Sequence, residues 1–452
     1  MKVLKKNRTL DSFVILLWLA FFFSCTKENT LAPLKPVIPS LSCQPNVVTG
    51  YTDKSSYYPE EVIKALLQSS KAIPLCALTI YDANNQIAFQ VPATIFLQIV
   101  NPINPSQNGY GFINPVEIPI PADLASGIYL IENKIPFIVK TKKPVDLLVV
   151  YPSNTVNAYN SEGGQSLYTT NHPFKVSFLR PTSLQSNAAY CLTWFSSLKN
   201  ISIGYVADID LDQFNEIEKS KILVIVGHSE YWTRRARNNF DQFINSGKHA
   251  LILSGNTMWW QVRYTPNRNE MICYRDAAID IEPDPALKTI VWAQPSLNYS
   301  ILSSIGADFN YGGFGLKMDN GWDGFKITTP SSPLLNGTNL KKGEIMSLPS
   351  GEYDGTPLAS FDVDGYPIIN NDILNFHKIE LIGFDKGSRG GKETIGTFIV
   401  FQRSSTSGII VNTASYDWCS EKGMGGTSAD RIKTITTNAI DILLNNKVIF
   451  SK

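Results

Sequence analysis

Unbroken apolar runs alternate with amphipathic stretches through the middle of this chain. "DLLVVY" (from Asp146), "KILVIV" (from Lys221) and "ALILS" (from Ala250) lack the polar alternation of a half-exposed strand, so each predicts a strand covered on both faces. "ISIGYVA", from Ile201, predicts another. Between them the pattern predicts a helix around 184–198, a short helical turn in "LDQFNEIEKS", and a helix with Ala236, Phe240, Phe243 and Ile244 on one face, stopping at Gly247. Ile432, Ile435, Ala439, Leu443 and Leu444 mark a closing amphipathic helix. This alternation predicts an α/β domain over 145–452, an open parallel sheet of flavodoxin/glutamine-amidotransferase-like type.

The pattern before Pro144 differs. "ALTIYDANNQIAFQV" is an apolar run, an Asp-Ala-Asn-Asn turn and a second run, which predicts a hairpin. "SGIYLIENKIPFIVK" repeats it with the turn at Asn133–Lys134. "YYPEEVIKALLQSS" reads either as a helix start or as a strand in β surroundings. The expectation is a small Ig-like β-sandwich over 43–144.

The first residues read as an address. Lys2, Lys5, Lys6 and Arg8 precede the eleven apolar residues "FVILLWLAFFF", too few to span a bilayer as a helix, and then "SC". This resembles a lipoprotein signal over 1–25 with Cys25 as the lipidated residue, followed by a Pro-rich flexible tether over 26–42. The expected setting is export and lipid anchoring to the cell envelope, at the outer membrane or surface of a Gram-negative bacterium. Five cysteines follow Cys25. A Cys43–Cys76 bridge is compatible with export but not established by sequence, and Cys191, Cys273 and Cys419 read as buried thiols.

Composition narrows the partners. A net charge of +1 in 452 residues gives no reason to expect nucleic acid. No Ser or Cys nucleophile elbow, P-loop or dinucleotide fingerprint appears. In an open parallel sheet, ligands bind beyond the carboxyl ends of the strands. The segments there would be "PSNTVNAYNSEGGQSLY", "GHSEYW" and "GNTMWW", all rich in Asn, Tyr, Trp, His and Glu. Glu230 and His228 also have bland readings, as a surface ion pair with Arg234 or Arg235 and as a structural histidine. Trp232, Trp259 and Trp260 are pocket walls or core.

Together, "YPSNTVNAYNSEGGQSLY", "VSFLRP", "VIVGHSEYWT", "LSGNTMWWQVRY" and "MICYRD" resemble the C-terminal domain of the large subunit of N,N-dimethylformamidase and the proteins grouped with it. That resemblance implies a mononuclear Fe3+ held by Tyr159, Tyr168 and Glu230, with His228, Asn256 and Glu352 (in "GEYDG") as catalytic residues. Phenolate and carboxylate are hard donors, suited to such an ion. The implied activity is metal-dependent hydrolysis of an amide or related C–N bond in a small molecule. The alternative is a non-catalytic lipoprotein binding a ligand or glycan, its tryptophans serving as stacking platforms. Here the tyrosines stand nine residues apart, closer than the resemblance leads one to expect.

Overall fold

The runs "DLLVVY", "KILVIV" and "ALILS" form the centre of the largest sheet. In the computed structural model, which describes residues 37–44, 46–315 and 321–451, they are the strands Val145–Tyr151, Ser220–Gly227 and His249–Ser254. Their side chains alternate between two cores. Leu147, Val149, Val224, Val226, Leu251 and Leu253 pack with the helices Ser186–Ser197 and Ala429–Leu444 on one face. Leu148, Val150, Leu223, Ile225 and Ile252 pack with Phe240, Phe243 and Ile244 of the helix Arg234–Asn245 on the other. Each fully buried aliphatic side chain contributes about 1.5–3 kcal/mol, and burial on both faces is why these runs carry no polar alternation.

The sheet is not the open parallel α/β sheet expected from sequence. Five strands are parallel, in the order Ile203–Ala207, Val145–Tyr151, Ser220–Gly227, His249–Ser254 and Ile409–Asn412. Beyond them the sheet turns antiparallel through Lys392–Gln402, Lys378–Arg389, Gly313–Phe314 and Glu352–Gly355, and its eleven strands make it mixed. Only three helices among the described residues exceed eight residues, and further mixed and antiparallel sheets make the protein mostly β. The physical reason lies in the hairpin Lys378–Arg389/Lys392–Gln402. Its turn is Gly390–Gly391, with φ of 57° and 76°, a two-residue turn that reverses the chain within the sheet without a crossover helix.

Before residue 140, a three-stranded sheet (Val47–Thr52, Val62–Ser69, Val116–Pro119) and a five-stranded sheet (Ser56–Tyr57, Ile135–Val139, Gly127–Ile131, Ile73–Asp82, Ile87–Ile95) enclose one apolar core. The ambiguous "YYPEEVIKALLQSS" forms the strand Val62–Ser69, with alternating burial. The turn expected at Asn133–Lys134 is present and also includes Glu132, with Glu132 and Asn133 at positive φ between the paired Ile131 and Ile135. A disulfide joins Cys43 to Cys76, while Cys191, Cys273 and Cys419 are free and buried. Cys25 and the signal segment lie outside the described residues. No helix among the described residues is long and apolar enough to cross a membrane.

Residues Ile38–Lys452 form one compact unit. A buried ionic cluster ties the N-terminal sheets to the mixed sheet. Lys140 Nζ lies 3.0 Å from Asp210 Oδ1 and 3.4 Å from Glu216 Oε1. Ser56 Oγ and the Ala207 amide donate to Asp210, and Tyr58 Oη donates to Glu216. Burial by itself lowers the Lys140 pKa, but the two carboxylates outweigh it and the ammonium is held above its usual range. Removing the cation leaves Asp210 an uncompensated buried anion and Glu216 with only Lys219, 3.6 Å away. Lys140→Met is therefore expected to cost about 3–5 kcal/mol in urea denaturation.

Candidate active site

The "GHSEYW" segment leaves the sheet at Gly227, whose φ is 70° and whose Cβ position would meet Gln185 Oε1 at 2.4 Å. That close approach lets Gln185 hold the loop: the His228 amide donates to its Oε1, and its Nε2 donates to the His228 carbonyl. The Glu230 amide donates to Thr155 Oγ1 at 2.9 Å. The Ser229 and Glu230 carbonyls accept from the Met258 and Trp260 amides. Glu230 is thus aimed by three segments at once.

Tyr159 ends a helix, Ser153–Tyr159, where the sequence reading placed a polar loop. The error has a clear cause: Asn154, Thr155 and Asn157 are buried, so this helix hides polar side chains and shows no apolar stripe. Asn154 Nδ2 donates to the Tyr231 carbonyl and to Tyr264 Oη. The following loop is clamped by Arg180, which is fully buried without a carboxylate partner. Its guanidinium donates to the carbonyls of Asn157, Glu162, Gln165 and Ser177 and to Asn157 Oδ1. Burial lowers its pKa to about 10.

This clamp brings Tyr168 onto Tyr159, their rings stacked with centroids 4.1 Å apart. Tyr168 Oη donates to both oxygens of Glu230, 2.9 Å each. Each tyrosine ring keeps more than two-fifths of its surface exposed, whereas Glu230 is buried. Burial and the Glu230 charge push both phenols far above their ordinary pKa. Burial also raises Glu230 itself, with His228 acting in the opposite sense. Three oxygens that resist ionising together have been brought to one point.

The catalytic candidates adjoin them. His228 Nε2 lies 3.2 Å from Glu352 Oε2 and 3.6 Å from Glu230 Oε2, yet is aligned with neither as a hydrogen bond. Burial works to lower the His228 pKa, but Glu352, Glu230 and Asp354 outweigh it and raise it. Glu352, on the strand Glu352–Gly355, accepts from Asn256 Nδ2 at 3.1 Å. Burial would raise its pKa, but His228 and Asn256 hold it below its ordinary value. Asn256 and Met258 both have positive φ, and the Thr257 amide between them is fixed by Asp354 Oδ2. His228 Nε2 and Asn256 Oδ1 are buried and without hydrogen-bond partners.

All six sequence candidates, Tyr159, Tyr168, His228, Glu230, Asn256 and Glu352, therefore meet in one place. Sequence reasoning missed three neighbours. Tyr231 Oη donates to Tyr168 Oη, Arg275 Nη2 donates to Tyr231 Oη, and Asp354 is fully buried with burial pushing its carboxyl well up. Tyr231 and Asp354 stand beside Glu230 and Glu352 in their motifs, and Arg275 stands in "MICYRD"; those motifs were the available signal. Trp232 is core rather than pocket wall, fully buried against Phe240 with Nε1 bonded to Ser229. Glu230 bonds Tyr168 instead of the surface arginine pair. A cavity of about 460 Å³ lies elsewhere, lined by Val156, Ile138 and Asp210 and by none of the six. Among the described residues no group of three or more His, Cys, Asp or Glu side chains is placed to hold a metal, so a cation here would depend on the phenols.

A family model for the N,N-dimethylformamidase beta subunit-like C-terminal domain matches residues 108–425, and the chain belongs to that family. No curated protein matches it. Among solved structures, a ThuA-like protein from Bacteroides uniformis is 11% identical, covering 67% of this chain and 93% of that one. Its TM-score of 0.32 bears on neither fold nor function.

Two outcomes follow from the supports of this site. Arg180→Lys forfeits most of the five charge-assisted bonds and is expected to cost about 3 kcal/mol or more by chemical denaturation. Asp208 accepts from the Asn154 amide at the start of the tyrosine-bearing helix and leaves Oδ1 unpartnered. Burial raises its pKa to about 8. A raised carboxyl stabilises the fold fully below its unfolded pKa, and that stabilisation fades as pH rises through the folded value. Asp208→Asn should therefore gain on the native protein by about 1 kcal/mol per pH unit between pH 5 and 7, read from paired denaturation curves.

Proposed function

We propose that this protein is a metal-dependent hydrolase of an amide or related C–N bond, with Tyr159, Tyr168 and Glu230 holding a mononuclear Fe3+. The observation that carries the proposal is the meeting of two phenols and one carboxylate beside two buried polar atoms, His228 Nε2 and Asn256 Oδ1, that make no hydrogen bond. The donor set fits the ion: three hard oxygens, each costly to ionise in this setting, become compatible once a multivalent cation is among them. When bound, such an ion supplies Lewis-acid polarisation of a carbonyl.

The chain's own residues account for the rest. His228 Nε2 and Asn256 Oδ1 match the two ends of an amide, the first donating to its oxygen and the second accepting from its N–H. Glu352, kept ionised by His228 and Asn256, takes a proton from water as the water oxygen bonds to the carbonyl carbon. The C–N bond then breaks, and that proton passes to the departing amine. The glycan-binding alternative loses a platform, because Trp232 has no free face.

We place this activity at the cell envelope, with Cys25 as the lipid anchor. Support for that placement comes from the basic–apolar–Ser-Cys order of residues 2–25.

The test is metal content by plasma mass spectrometry on protein purified without chelator. Stoichiometric iron is expected in the native protein and little in Glu230→Ala or Tyr159→Phe. Glu352→Gln should keep the iron and lose amide turnover. A native protein that takes up no iron on reconstitution sinks the proposal.

A further inference from the structure

Arginine is the residue type whose partners here are most telling. Arg263, Arg268, Arg403 and Arg431 are paired with carboxylates. Arg180, Arg234 and Arg237 spend their donors on backbone carbonyls. Two half-buried arginines at the candidate active site do neither. Arg275 makes its one side-chain hydrogen bond to Tyr231 Oη and leaves Nε buried without a partner. The Arg389 guanidinium makes no ion pair or hydrogen bond among the described residues, although its charge acts on Glu352 and Asp308.

Both guanidinium groups lie on aromatic faces. Arg275 sits 4.4 Å from the centroid of Tyr168 and 5.1 Å from that of Trp260. Arg389 sits 5.0 Å from Trp259 and 4.7 Å from Phe309. Trp259 and Trp260 touch edge to face at 6.2 Å, so one tryptophan pair spans the space between the two cations. Arg275 flanks the tyrosine side of the site. Arg389 flanks the Glu352 side, because Ser388 and Glu352 both pair with Phe314 in the strand between them. A guanidinium stacked on a ring keeps its N–H edge free in the plane, the geometry that a carboxylate satisfies with two parallel bonds. Two partly desolvated cations that form no ion pair among the described residues favour a ligand that brings an anion.

We infer that the substrate is an amide bearing a carboxylate, as in an N-acyl amino acid, and that Arg389, on the Glu352 side of the site, binds that carboxylate while Arg275 adds positive charge from the tyrosine side. The amide part rests on the hydrolase reading, whereas the charge preference rests on the arginines alone. The site would discriminate against small neutral amides, since these leave both guanidinium edges unpaired.

The experiment is calorimetric titration of the full protein with N-acetylglycine and its neutral counterpart N-acetylglycinamide, at fixed ionic strength. The native protein should bind the carboxylate about tenfold more tightly or better, the scale of one charge-assisted bond. Arg389→Gln should abolish that preference while leaving N-acetylglycinamide binding as it was, and Arg389→Lys should restore part of it. Equal binding of the two probes by the native protein overturns the inference. A preference that survives both Arg389→Gln and Arg275→Gln also overturns it, because something other than the arginines then reads the charge. Metal content measured on the same samples keeps the two proposals apart. Iron without an arginine-dependent preference leaves the hydrolase standing and removes the carboxylate. The preference without iron does the reverse.

Discussion

The site hangs on a single buried cation. Arg180 is enclosed without a counter-ion, and its five donors are absorbed by carbonyls and one side-chain oxygen of a helix end and the loop beyond it, and by the Ser177 carbonyl of the strand Lys175–Ser177. Those groups would otherwise be orphaned, because the helix Ser153–Tyr159 ends there and the loop has no strand partner. The guanidinium thus replaces a secondary-structure ladder. It holds the Tyr159 and Tyr168 backbones close enough for their rings to stack, and Glu230 then meets Tyr168 from the other side. Without a group able to donate in five directions, two tyrosines nine residues apart would have no common position.

Charge at the site is arranged by solvation as much as by contact. Glu352 is kept ionised by His228 and Asn256, while Asp354, two residues along the same strand, is driven toward its neutral form by complete burial. Two carboxyls on one strand face are thereby given opposite characters. Asp354 fixes the Thr257 amide, which lets Asn256 and Met258 stay at positive φ, a conformation that costs free energy and that clusters at functional sites.

The sequence made the parallel half of the main sheet legible because "DLLVVY", "KILVIV" and "ALILS" bury both faces and leave no other reading. Its antiparallel half stayed hidden. "KIELIGFDKGSRGGKETIGTFIVF" mixes Lys, Glu, Asp and Gly into its strands, and a two-glycine turn carries the topology. The strand pattern brought the segments of Tyr159, Tyr168, His228, Glu230 and Asn256 to one sheet edge, while the motif resemblance picked out those residues and added Glu352. "SNTVNAY" looks like a loop because its helix buries Asn and Thr. Nothing local to Arg180 or Arg275 tells a cation that ends on carbonyls from one that ends on a tyrosine hydroxyl, since both outcomes depend on segments distant in the chain.

The Cys43–Cys76 bond has a mechanical consequence. Residues 38–43 are tied to the strand Ile73–Asp82 by Ala77, whose amide donates to the Leu41 carbonyl and whose carbonyl accepts from the Cys43 amide. Tension arriving along that segment would peel an unbridged strand away one hydrogen bond at a time. With the disulfide in place, the load passes through a covalent bond into the strand Ile73–Asp82, which is flanked on both sides by Gly127–Ile131 and Ile87–Ile95 and shares it with them in shear. The N-terminal sheets can then act as a strain relief, keeping any pull on the leading segment from reaching the strands that carry His228, Glu230 and Glu352.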